Sequence, residues 1–165
     1  MANTISVNEG EIGQATGQDI LKYPNINSCL SITAVFADGK RYGGHVVMFN
    51  TDQQLSLKDI CDKIFANKGN STRLIIIGDI GTWNQDWSQL PQTKNLIING
   101  KKVTNVAGLG PAMGFTTNDN WDIDNCATRG GSYDIYFEYA GNTRQIRAYD
   151  KKTANNCTYF NTKTW

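Results

Sequence analysis

The sequence predicts an α+β domain of mixed, mostly antiparallel sheet with few helices, and three observations carry that prediction. Short β-branched and aromatic runs punctuated by Asp-Gly, Asn-Gly and Gly-Asn turns dominate both halves of the chain. One stretch, residues 56–66, has apolar residues at helical spacing behind a serine cap. At 165 residues, 39% hydrophobic and 19% charged, the chain is most economically one domain with a core of its own. We therefore treat 1–165 as a single domain.

In chain order, residues 1–27 read as polar and irregular. Gln18–Tyr23 is a candidate short helix stopped by Pro24. Residues 29–50 read as one β-hairpin. Its loop, Ala37-Asp38-Gly39, fits a three-residue turn with glycine in the left-handed region. Closed that way, Phe36 faces Lys40 and Ser31 faces His45. Cys29 and His45 then become diagonal neighbours on one face, about 7–8 Å apart at the backbone. A two-residue Asp-Gly turn would shift the register by one and send them to opposite faces. The turn residues alone do not decide between the two. Leu30, Ile32, Ala34 and Phe36 form an apolar face, with Cys29, Ser31 and Thr33 alternating against it. Gly43-Gly44, beside the only histidine, leaves room for close approach above the sheet.

A helix follows, capped at Ser56, with Leu57, Ile60, Cys61, Ile64 and Phe65 as its apolar stripe and Gly69 closing it. Residues 73–78 (Arg-Leu-Ile-Ile-Ile-Gly) read as a buried central strand. Residues 95–104 form a hairpin around Asn99-Gly100. The runs 133–139 and 144–149 pair through Gly141-Asn142. Between these two pairs, residues 107–132 read as a long glycine-rich loop bordering the active site, with Trp121 as a candidate substrate anchor.

Several function classes drop out. A net charge of +1 gives no basic excess for nucleic acid. No apolar run approaches a membrane span, and the N-terminal residues carry no signal-peptide pattern. Export by the general secretory route is not expected, although a specialised secretion system would leave no such mark. Cys29, Cys61, Cys126 and Cys157 lack zinc-type spacing, and with one histidine no metal is expected. Free thiols are the default reading, although an even count permits two disulfides. Asp119, Asp122 and Asp124 lack the glycine and glutamate of a calcium loop and read as a solvated turn. Residues 108–114 lack the lysine and glycine spacing of a phosphate loop.

What remains is a thiol and an imidazole on one hairpin, the minimum equipment for nucleophilic acyl transfer. From Ser28-Cys29 through Gly43-Gly44-His45, into the amphipathic helix and the strand ending at Gly78, the chain resembles the glutamine deamidases of the chemoreceptor-deamidase fold. That group includes the chemotaxis deamidases, the cytotoxic necrotizing factor catalytic domains and the Burkholderia lethal factor family. The resemblance spans residues 23–80. It implies an α/β sandwich, Cys29 as nucleophile, His45 as general base and a third group orienting the histidine. In some members that group is a threonine six residues before the cysteine, where this chain has Tyr23; in others it is a backbone carbonyl. The toxins favour Leu-Ser-Gly-Cys where this chain has Ile26-Asn27-Ser28-Cys29.

The expected activity is therefore deamidation of a glutamine on a target protein, by a monomeric, toxin-like effector in a host cytosol or otherwise a cytoplasmic enzyme. Neither cofactor, nucleic acid nor membrane is expected to take part. Asn27, Ser28, Ser31 and Trp121 are the candidate binding residues, and the backbone near Ser28 and Cys29 the candidate oxyanion site. An activated Cys29 is expected to react with iodoacetamide at lower pH than an ordinary thiol. The alternative from a different class is a non-enzymatic, β-rich protein- or glycan-binding module, which the abundant Trp, Tyr, Asn and Thr would suit.

Overall fold

The computed structural model describes residues 2–126 and 130–165. Two sheets stack face to face, and helices cover the outer face of one of them. The first sheet has the order β1 (Thr4–Ser6), β3 (Ile20–Ile26), β10 (Tyr133–Ala140), β11 (Thr143–Asp150), β12 (Asn155–Asn156). The second runs β2 (Ile12–Ala15), β5 (Arg41–Val46), β4 (Leu30–Val35), β6 (Arg73–Gly78), β9 (Asn118–Asp122). A small ribbon, β7 (Ile97–Ile98) and β8 (Lys101–Lys102), turns through Asn99 and Gly100, both at positive φ. The architecture is the mixed α+β sandwich expected.

The hairpin closes with the three-residue turn. The Phe36 N–H donates to the Lys40 carbonyl at 2.9 Å, Gly39 has φ +99°, and Ser31 pairs with His45. Leu30, Ile32, Ala34 and Phe36 consequently face α1 (Leu57–Ala66), packing with Leu57, Ile60, Cys61 and Ile64. A capping box between Ser56 and Asp59 starts α1. Its cap at the other end is Asn67, two residues before the expected Gly69. Phe65, assigned to the apolar stripe, is instead 40% exposed, because its position falls beyond the arc that reaches the sheet. The opposite face of the second sheet packs on the first, with Ile75 and Ile77 meeting Leu21, Tyr23, Ile135 and Phe137.

Four expectations fail, each for a physical reason. Residues 1–27 are not irregular: they supply β1, β2 and β3. Residues 18–23 do not form a helix, because Ile20–Ile26 finds sheet partners on both sides. Pro24 is tolerated because it lies at a bulge, where Pro24 and Asn25 together oppose Asp134 of β10. There the Asn25 N–H donates to the Asp134 carboxylate at 2.9 Å, with Asn25 at φ +59°. Residues 107–132 are not one loop either. They hold α3 (Leu109–Ala112) and the edge strand β9, parallel to β6; residues 127–129 lie outside the described residues. Finally, Cys126 and Cys157 are disulfide-bonded, while Cys29 and Cys61 are free and buried. That bond closes a 31-residue separation between the end of β9 and the C-terminal turn, a constraint worth about 3–4 kcal/mol in the chain-entropy model.

Candidate active site

Cys29 sits immediately before β4 and His45 near the end of β5, both facing the other sheet. The backbone at Cys29 is held from two sides. The indole N–H of Trp83, in α2 (Ile80–Asp86), donates to the Ser28 carbonyl at 2.8 Å. Gly78 ends β6 so close beneath that any side chain there would collide with the Cys29 carbonyl. The glycine pair of β5 does not leave an opening. The space over Gly43 is filled by the Tyr23 hydroxyl and that over Gly44 by Ile60.

The Cys29 sulfur, a ring nitrogen of His45 and a carboxylate oxygen of Glu9 lie within 4.8 Å of one another. The other partners of His45 come from the first 23 residues. Its Nδ1 is 2.8 Å from the Val7 carbonyl, and Tyr23 meets the ring edge-on with centroids 6.3 Å apart. A carbonyl only accepts, so Nδ1 carries the proton and Nε2 holds the lone pair. That Nε2 is buried and has no hydrogen-bond partner.

Burial dominates the electrostatics. It pushes the Cys29 thiol up to about 12, with the Glu9 charge adding to the rise and a backbone hydrogen bond from Asn27 opposing it. Burial also lowers His45 below its ordinary value, against the Val7 hydrogen bond and the charges of Glu9 and Glu11. At neutral pH the pair is thiol plus neutral imidazole. This reverses the expected low-pH alkylation, because the buried sulfur has too little solvation to hold a resting thiolate. The same neutral imidazole is the form in which a histidine accepts a proton.

The remaining candidate residues divide. Asn27 and Ser28 are exposed beside the buried sulfur, at the rim of the inter-sheet layer. The Ser31 hydroxyl turns inward and donates to the Ile77 carbonyl at 3.1 Å. The Thr33 hydroxyl shares a 2.7 Å hydrogen bond with Tyr23. Trp121 lies on β9, three strands from His45, half-buried against Phe160 with Arg73 and Lys163 over its ring. Asp79, Asp122 and Asp124 also gather within 4.8 Å, and the first two cap backbone turns. Asp79 accepts from Thr82 N–H, and Asp122 from the Gly81 and Asp124 N–H groups.

Sequence reasoning did not find Val7 or Glu9. Val7 contributes a main-chain atom, which no residue type marks. Glu9 reaches the site only because the 8–10 turn folds over it, where the Gly10 N–H donates to the His45 carbonyl at 2.8 Å.

Among the described residues no helix is long and apolar enough to cross a membrane. No family model matches the chain, and no curated protein matches it significantly. Among solved structures it is similar to the C-terminal domain of CNFy from Yersinia pseudotuberculosis, with a TM-score of 0.41 and 8% identity over 88% of this chain. The match covers 55% of that structure, so the chain spans about half its length.

Proposed function

We propose that the protein is a cysteine-dependent glutamine deamidase acting on a target protein, with Cys29 as nucleophile and His45 as general base. The observation that carries this reading is the partnering of His45. Nδ1–H is committed to the Val7 carbonyl, which leaves the lone pair of the buried Nε2 free to accept a proton in a cluster that also holds the Cys29 thiol.

Nε2 takes the Sγ proton as sulfur attacks the carboxamide carbon. The carbonyl electron pair moves to oxygen, towards the backbone N–H groups near Ser28 and Cys29. The imidazolium, held by Val7, returns the proton to nitrogen as the C–N bond breaks and ammonia leaves. Water, deprotonated by the same Nε2, attacks the thioester. The C–S bond breaks, sulfur recovers its proton from Nε2, and the carboxylic acid left behind ionises to glutamate, its proton taken up by the released ammonia. Asn27 and Ser28 would line the approach to the sulfur, and no step calls on a cofactor.

The test is incubation of wild type and Cys29→Ser with host-cell lysate, followed by a mass-spectrometric search for Gln-to-Glu conversion. Conversion should appear with wild type and fall by a factor of about 10³ or more with Cys29→Ser, while thermal stability stays near wild type. Equal conversion by both proteins would remove the nucleophile assignment. Binding of a lysate protein with no conversion would favour the binding-module alternative.

A further inference from the structure

The deamidation chemistry uses a sulfur and a nitrogen of this cluster and leaves its third member idle. Glu9 lies in an exposed turn, yet one of its oxygens comes within 4.8 Å of both the Cys29 sulfur and a His45 ring nitrogen. His45 is fully buried, with a carbonyl on Nδ1 and no hydrogen-bond partner on Nε2. A backbone carbonyl on one ring nitrogen and a free lone pair on the other is how proteins orient a metal-binding histidine.

We propose that Glu9, Cys29 and His45 form a three-ligand site for a borderline-soft divalent transition ion of the Zn²⁺ class, its fourth position open to solvent. Sulfur and imidazole ligands select such an ion over Ca²⁺ or Mg²⁺, which take oxygen. Tetrahedral bonds of about 2.0–2.3 Å require the ligand atoms to draw in to about 3.3–3.6 Å. The exposed Glu9 side chain gives the ion its entry and is the ligand that draws in. On binding, the S–H bond breaks, its electron pair forms the sulfur–metal bond, and one proton leaves to solvent. His45 donates the Nε2 pair and keeps its Nδ1 proton, and nothing is oxidised or reduced. The bound ion occupies both groups that acyl transfer needs, so it inhibits; that consequence, unlike binding itself, rests on the deamidase reading.

The experiment titrates the full chain, with its free thiols reduced, with Zn²⁺ by calorimetry in two buffers of different ionisation enthalpy. Co²⁺ is titrated in parallel, and thiolate-to-cobalt charge-transfer absorption is followed. One ion per chain, about one proton released and a charge-transfer band are expected. Cys29→Ser should abolish the band, and Glu9→Gln, in the exposed turn, should weaken binding about tenfold. Cys61→Ala should change neither. No binding, a band that survives Cys29→Ser, or wild-type affinity in Glu9→Gln overturns the site. Deamidation assayed under chelator separates the two claims: metal-free activity without Zn²⁺ binding refutes this inference alone, and Zn²⁺ binding by a protein inactive under chelator refutes only the deamidase.

Discussion

Arg41 and His45 lie four residues apart on the same face of β5, both fully buried, and the protein treats them in opposite ways. All three nitrogens of the Arg41 guanidinium are hydrogen-bonded. It donates to the carbonyls of Gly39, Asp19, Phe137 and Gly17 at 2.6–3.0 Å and lies 4.4 Å from the centroid of the Trp165 ring. It thereby ties the hairpin turn to the β2–β3 connection, to β10 and to the last residue of the chain. The His45 ring has one hydrogen bond and a buried nitrogen with none. Leaving such an atom unmatched costs about 1–3 kcal/mol. One end of the strand is built for cohesion, and the other keeps a base unused.

The contrast can be broken most forcefully at the arginine end. Arg41→Met leaves four carbonyls without their donor and should destabilise the protein by about 3–5 kcal/mol in urea unfolding. Activity per folded molecule should stay near wild type. If stability is unchanged, the arginine is not the tie described. A thousandfold effect of similar energy is expected at the other end, through the raised thiol. Iodoacetamide alkylation of Cys29 should keep accelerating about tenfold per pH unit towards pH 12, instead of levelling near 9 as a free cysteine does. A plateau at neutral pH, followed by peptide mapping, would show a preformed thiolate.

The smallest effect belongs to His45 itself. Burial lowers its folded value, so below pH 6.5 the unfolded chain takes up a proton that the folded chain refuses. Stability should therefore fall as pH drops from 6.5 towards the lowered value, by at most about 1.4 kcal/mol per unit. Urea unfolding of wild type and His45→Gln at pH 7.5, 6.5 and 5.5 isolates the term. Parallel curves would mean that His45 titrates normally.

The hairpin was legible because its determinants are local: Asp38-Gly39 between two strands and an apolar face opposite a polar one. The same holds for Ser56 at the head of α1 and for Asn99-Gly100. The choice between a two- and a three-residue turn in the hairpin was decided only by the structure. The N-terminal strands were not legible, because β3 owes its extension to β10, more than 100 residues away. The polar Asn-Asp-Asn-Trp-Asp run of β9 becomes a strand only beside β6, a parallel pairing that tertiary context supplies. The Cys126–Cys157 pairing has no signature in spacing. At the site, the two side chains were visible in the sequence, but the environment that sets their protonation was not. That environment consists of the Val7 carbonyl, the Glu9 charge and the depth of burial, all products of the chain's N-terminal fold.

The bulge at Pro24 and Asn25 has a consequence outside its own sheet. Because strand side chains alternate between faces, a slip of one residue between β3 and β10 would turn Tyr23 away from β5. Its hydroxyl would leave the hollow over Gly43, and the imidazole would lose its edge-on neighbour. Proline cannot donate to a ladder, and Asn25 is fastened to Asp134, so this notch has one seating. What interrupts the strand in one layer thus works as an alignment key for the other, and the aim of the histidine is set in part by a proline five residues upstream of the cysteine.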